Sequence, residues 1–284
     1  MDLSEVEAKS VLTRCGGFLK TVSSHSLQPY RGCSFGNALC GVGCYVRHNV
    51  YLTRGAAWGS FVEVRRNAAE VYLKQYAREK AWAQKERGAF VVFMSSSTDP
   101  FLPQEERLGV TRRVLEAMLE RPPDALILQS HTHRIVRYMD LYAELAFKTR
   151  LRFHLSIESD RASLPGLPPP ASPVDRRFAA ASALKAAGLN TVITVAPLLP
   201  IEDPPAFFAR VAAAADAVVL DHFIGGDGSK GGGRTHKTGL PAAMAAVDPA
   251  SVGLDYRERM AAVARRFLTG RVGVSIDGFA GRYA

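Results

Sequence analysis

The sequence predicts an α/β chain built on a parallel sheet with helical crossovers, closed or partly closed into a barrel. Three observations carry this. Short apolar runs alternate along the chain with stretches whose apolar residues recur at helical spacing. The runs are almost continuously apolar, as strands buried on both faces must be. Six or seven such units suit a barrel better than a short open sheet. The strand runs are 89–94, 125–128, 151–157, 191–195, 217–220 and 271–276. The helical stretches are 62–87, 104–120, 134–148, 174–187, 204–215 and 254–269. Gly188 is placed to cap the fourth helix, because glycine tolerates the left-handed turn that ends one. Asp203 precedes Pro204-Pro205, an N-cap followed by proline in the first helical turn. In parallel α/β folds ligands bind at the carboxyl ends of the strands, so the residues just after each strand are where chemistry is sought.

Composition narrows the class. The 284 residues carry 36 Lys and Arg against 27 Asp and Glu, a net charge of +9, with 47% hydrophobic and 22% charged residues. That is a globular composition and excludes a mostly disordered chain. No apolar run reaches the roughly 18 residues a membrane helix needs, and Met1-Asp2-Leu3-Ser4-Glu5 lacks the basic start and apolar middle of a signal peptide. A cytoplasmic protein without a membrane partner is expected. The basic residues are dispersed over predicted helices, so solvated faces explain most of them, with nucleic acid as a candidate partner. Two stretches break the alternation. Pro165 to Pro173 reads as an extended loop. Gly225 to Gly239 reads as a mobile lid or plain flexible loop, because His236 before Lys237-Thr238 breaks the phosphate-loop pattern G-x-x-x-x-G-K-[ST].

Cysteine carries the sharpest signal. Three of the four cysteines, Cys33, Cys40 and Cys44, fall in one glycine-rich segment with the spacing C-x6-C-x3-C. Cysteines in a cytosolic chain point to metal binding or catalysis before disulfides. Three thiolates on one loop suit an iron–sulfur cluster with one iron left open to a small molecule. His48, four residues after Cys44, leaves a Cys3His zinc site open as the alternative, and unrelated thiols as a third. Cys15 stands apart as a buried thiol.

Six motifs in order resemble the radical S-adenosylmethionine (SAM) superfamily, within it the spore photoproduct lyase-like group. They are Gln28-Pro29-Tyr30-Arg31-Gly32-Cys33; Cys44-Tyr45; Ser95-Ser96-Ser97-Thr98-Asp99-Pro100-Phe101-Leu102-Pro103-Gln104-Glu105; Arg137-Tyr138-Met139-Asp140-Leu141; Leu155-Ser156-Ile157-Glu158-Ser159; and the stretch from Pro173 to Pro200. The resemblance spans about residues 28–223. It implies a partial (β/α)6 TIM-like barrel of the radical SAM type, with an N-terminal extension over 1–27 and a C-terminal extension over 224–284. It implies a [4Fe–4S] cluster on Cys33, Cys40 and Cys44, and SAM on the open iron. Reductive cleavage of SAM would yield a 5′-deoxyadenosyl radical for hydrogen abstraction, with electrons from a donor such as flavodoxin or ferredoxin.

Strand-end residues fit that reading. Ser95, Ser97 and Asp99 follow one strand, His131 and Thr132 the next, and Ser156 and Glu158 the one after; Ala196 and Pro197 end the strand that could hold the adenine. Tyr45 and Glu158 are the candidate catalytic groups, the tyrosine with packing against cluster or adenine as its simpler role. The chain departs from the group in three ways. Its cysteine spacing is wider than C-x3-C-x2-C. His131 stands where a lysine is expected. No cysteine follows Cys44 to act as hydrogen-atom donor, so the lyase reaction itself is not expected. The alternative is a non-catalytic zinc- or cluster-binding protein of nucleic acid.

Overall fold

The computed structural model describes residues 1–284. Eleven strands form two sheets: β1 (Asp2–Val6), β2 (Leu12–Arg14), β3 (His25–Leu27), β4 (Tyr30–Gly32), β5 (Phe61–Arg65), β6 (Val91–Met94), β7 (Ala125–Ser130), β8 (Arg150–Ser156), β9 (Asn190–Val195), β10 (Ala217–Leu220) and β11 (Val272–Val274). The main sheet has eight strands in the order β11-β10-β9-β8-β7-β6-β3-β2. All its pairs are parallel except β2 with β3. The strands that follow one another in the series β3, β6, β7, β8, β9, β10, β11 are neighbours in space, joined by helical crossovers. Because such crossovers share one hand, the helices stack on one face and the sheet curls around the other. β2 and β11 do not pair, so the barrel is partial. A small sheet, β1-β5-β4, flanks it.

The helices between successive strands of this series include Ala68–Arg87, Val110–Glu120, Met139–Lys148, Val174–Ala186, Pro204–Ala214 and Leu254–Arg265. Consecutive helices pack side by side except between Met139–Lys148 and Val174–Ala186, where the turn His133–Tyr138 packs against the second helix. Both predicted caps are present. Asp203 accepts from Ala206 N–H at 3.0 Å, and Gly188 takes φ +73° just past the fourth helix.

Side-chain alternation divides the sheet in two. Val92, Met94, Leu126, Leu128, Phe153, Leu155, Ile193, Val195, Val218 and Leu220 turn outward into the large core shared with the helices. Phe93, Ile127, Val192, Ala217 and Val219 turn inward, where they meet Val22 and Phe279. The interior is filled at this level by the turn Gly17–Thr21 and the short helix Ser275–Phe279. Phe18 and Phe279 meet edge to face at 5.7 Å, and Arg152 donates to the Phe279 carbonyl at 2.7 Å.

Two expectations need correction. The stretch 62–87 is not all helix: Phe61–Arg65 is a strand whose buried positions do not follow helical spacing, and the helix begins at Ala68. The run 271–276 keeps strand only over Val272–Val274 and then turns into the helix that enters the barrel. Within the main sheet, β2 and β3 come from the segment 1–27 and β11 from the segment 224–284. Edge strand pairing and the interior plug need them.

The first crossover helix is tied to the sheet edge by a buried charge. Glu79, 4% exposed, accepts from Arg14 Nε at 2.9 Å and Arg78 Nε at 2.7 Å, and lies 3.1 Å from His25 Nε2. Burial pushes its carboxyl up, but the bonds from Arg14, His25 and Arg78 outweigh this and bring it from 4.5 to about 2. A depressed carboxylate stabilises the fold above the unfolded pKa and loses that contribution as pH falls toward its folded value. Glu79→Gln should therefore cost about 2 kcal/mol at pH 7. Urea unfolding at pH 7 and pH 3 checks this: the wild-type difference between the two pH values should shrink in the variant.

Candidate active site

The cysteine loop begins at β4 and is held at both ends. At its start Arg31 forms a two-point ion pair with Glu63 of β5, and Tyr30 donates to Glu105. Glu105 is 1% exposed and also accepts from Tyr138 Oη at 2.6 Å, Thr111 N–H at 3.0 Å and Arg112 N–H at 3.1 Å. The last residue of the Ser95-to-Glu105 motif is thus an anchor for the strand that launches the loop. At the other end Tyr45 donates to the Ser96 carbonyl, joining the loop to the segment after β6. Between these points the loop folds back on itself without side chains in the way. A Cβ on Gly41 would collide with the Gly36 carbonyl, and one on Gly36 with the backbone of Gly59.

Beneath the loop lies a cavity of about 390 Å³ at the carboxyl ends of the strands. Its roof carries Cys33, Cys40 and Cys44 with Tyr45, Phe35 and Trp58. Its floor is aromatic and aliphatic: Phe18, Leu19, Phe93 and Phe279. Between roof and floor, one inward position above the apolar layer, the strands present Ser95 (after β6), Gln129 (β7), Ala196 (after β9) and Asp221 (after β10). Three buried atoms of this polar ring have no hydrogen-bond partner: Ser95 Oγ, Gln129 Oε1 and Asp221 Oδ1. Buried polar atoms without partners are expensive, and the residues that carry these three all line one cavity, which marks it as a place for a ligand. Ser95 also holds φ +84°, a left-handed backbone that a serine adopts only where its surroundings impose it.

The structure sorts the expected site residues. Cys33, Cys40, Cys44, Tyr45, Ser95, Ser97, Asp99, His131, Ala196 and Pro197 all line the cavity. Asp99, 7% exposed, accepts from Phe101 N–H at 2.9 Å, His131 N–H at 2.7 Å and Ser130 Oγ at 3.0 Å. Burial pushes its carboxyl up against these bonds. Thr132, Ser156 and Glu158 do not reach the cavity. Thr132 caps the following turn, accepting from Arg134 N–H at 3.3 Å. Ser156 Oγ is 3.0 Å from Thr194 Oγ1 inside the sheet.

Glu158, expected as a catalytic group, is instead held by Arg177 at 2.6 Å and by His131 Nδ1 at 2.9 Å. Burial pushes its carboxyl up, but the Arg177 guanidinium and His131 reverse this and keep it well below the usual carboxylate range. It orients the His131 ring from behind, and the ring's Nε2 makes no bond within the chain. Asp221, His222, Phe223, Asp227 and Thr235 line the cavity without having been singled out from the sequence. The segment Gly225 to Gly239, expected as a lid or flexible loop, is organised around Asp227. That carboxylate accepts from Ser229 N–H and Oγ at 2.8 and 2.6 Å, and from Thr235 N–H and Oγ1 at 2.8 and 2.9 Å.

The donor set fits an iron–sulfur cluster better than one metal ion. The thiols are free and share one cavity wall, yet no three His, Cys, Asp or Glu side chains converge on a single-ion position. His48 does not line the cavity. Burial pushes the thiols up, Cys33 to about 12, so they stay protonated without a cation to hold them as thiolates.

These features define a partial α/β barrel with a thiol-roofed cavity at its strand ends. No family model matches the sequence, and no curated protein matches it. Among solved structures, the fold is that of spore photoproduct lyase. A variant of that lyase with bound AdoMet and dinucleoside spore photoproduct aligns with a TM-score of 0.63 at 14% identity, over 96% of this chain and 81% of that one. The lyase complexed with dinucleoside spore photoproduct gives 0.61 at 15% identity over the same shares.

Arg177 is 2% exposed, and removing its partner's charge leaves a buried cation unpaired. Glu158→Gln should cost about 3 kcal/mol in urea unfolding. Glu158→Gln combined with Arg177→Met should recover much of that loss, since the uncompensated charge is gone.

Proposed function

We propose that this chain is a radical SAM enzyme. The observation that carries the reading is the joint presence, in the lining of one cavity, of three free cysteines from one glycine-tight loop and of residues with unpartnered polar atoms. Cys33, Cys40 and Cys44 would hold a [4Fe–4S] cluster, which with SAM supplies one-electron cleavage and a 5′-deoxyadenosyl radical for hydrogen abstraction. Asp99 would accept a hydrogen bond from the SAM ammonium beside those it takes from Phe101, Ser130 and His131. Gln28 donates to Ser96 Oγ at 2.8 Å and accepts from Thr98 N–H at 3.3 Å, which fixes the segment that carries Ser95 and Ser97. His131 presents a ring oriented by Glu158. Ala196 and Pro197 offer an apolar face for the adenine. Phe18, Leu19, Phe93 and Phe279 exclude water from below.

Tyr45 reaches the cavity roof with its hydroxyl bound to the Ser96 carbonyl, which supports packing and loop closure over radical transfer. Cys15 lies away from the cavity, its Sγ 3.3 Å from Ser23 Oγ, so no fourth thiol faces the site. Lyase chemistry that needs a cysteine hydrogen donor is therefore not part of the proposal. An electron donor such as flavodoxin or ferredoxin would serve as reductant. A nucleic-acid partner draws support from the +9 charge and not from the cavity, whose lining contains no Lys or Arg.

Anaerobic reconstitution with iron and sulfide, reduction with dithionite and addition of SAM should yield 5′-deoxyadenosine. Cys40→Ala should reduce the yield at least a hundredfold. A wild-type preparation that holds zinc, or forms no product, sinks the reading.

A further inference from the structure

The charge of the cavity is opposite to that of the chain. The protein carries +9, yet the 30 lining residues include Asp99, Asp221 and Asp227 and no lysine or arginine. Two of these carboxylates are already engaged. Asp227 holds the glycine-rich segment, and Asp99 is bonded on both oxygens beside the cysteine roof. Asp221 is different. It is 5% exposed, forms no ion pair, and its Oδ1 has no partner. Its Oδ2 faces Gly226, where a Cβ would come to 2.5 Å, so only glycine leaves room for the carboxylate there. Arg257, whose charge is felt at Asp221, is bonded to Glu258 at 2.7 Å. Burial pushes the Asp221 carboxyl up to about 6, against hydrogen bonds from Ser275 and the His222 backbone and the charge of Arg257.

A buried carboxylate with no cationic partner and one oxygen unsatisfied is costly, and a ligand cation is the natural compensation. The rest of the lining favours the same charge. Phe18, Phe93, Phe223 and Phe279 line the cavity together with Asp221, and aromatic faces attract cations. An anionic group would meet three carboxylates and no lysine or arginine, with the imidazoles of His131 and His222 as the basic side chains in the lining.

We propose that Asp221 anchors the substrate in this cavity, and that the group it takes is an organic cation: an ammonium, amidinium or guanidinium on an apolar or flat body. The proposal rests on the cavity being the active site proposed above, but its test does not depend on radical chemistry. Benzamidine serves as the cationic probe and benzoate as its anionic counterpart, with binding to the reconstituted protein followed by saturation-transfer NMR and calorimetry. Wild-type protein should bind benzamidine at least tenfold more tightly than benzoate, and Asp221→Asn should lose at least tenfold in benzamidine affinity. The wild-type preference is read without any substitution, so it still decides the matter if the variant does not fold. Equal affinity for the two probes, or a folded Asp221→Asn that binds benzamidine as wild type does, overturns the proposal. So does a variant that loses affinity for SAM and not for benzamidine, since Asp221 would then belong to the SAM site. Because binding is the readout, a preparation that makes no 5′-deoxyadenosine still reports on Asp221.

Discussion

Side chains on a strand must alternate between two faces, and everything at this site follows from that constraint acting on a sheet covered on one side only. The outward set is apolar because it meets the helices. The inward set changes character along β6, β7 and β10: apolar where Phe93, Ile127 and Val219 meet Phe279, and polar two residues later at Ser95, Gln129 and Asp221. A floor and a polar ring thus arise from one register. The parallel direction of the strands places every ring member at the same rim, so a single loop after β4 can roof them all.

The roof depends on backbone packing more than on side chains. Gly36, Gly41 and Gly59 bring three chain segments together where a methyl group would not fit. The wide gap between Cys33 and Cys40 is taken up by this fold-back and by the short helix Leu39–Val42. The extra loop length relative to C-x3-C-x2-C therefore has a place to go while all three thiols still face the cavity.

Much of the fold was legible because strands buried on both faces leave an unmistakable apolar run; the six predicted runs correspond to β6 through β11. The strands β1 to β4 have three to five residues each, too few for periodicity to speak. β5 was hidden because Phe61–Arg65 runs straight into a long helix. At the site, the rule of looking just past each strand led to Ser95, Asp99, His131 and Ala196. Applied to the run 217–220 it would also have led to Asp221. Glu158 shows the opposite limit. A carboxylate at a strand end suggests chemistry, but its partner Arg177 lies on a helix that sequence spacing cannot bring to it. Thr132 and Ser156 lie outside the cavity lining for a related reason: one turns away to cap, and the other points sideways to Thr194.

The cavity floor has a kinetic side. Phe18 and Phe279 meet there from opposite ends of the sequence, so their contact closes a loop that encloses nearly the whole sheet. Such closure is entropically the hardest to make early, whereas each strand–helix–strand unit forms from neighbouring residues. The floor is therefore expected to assemble after the sheet, with the ligand cavity taking its shape late. Interactions made that late are absent from the folding transition state. They lengthen the lifetime of the folded protein without hastening its formation.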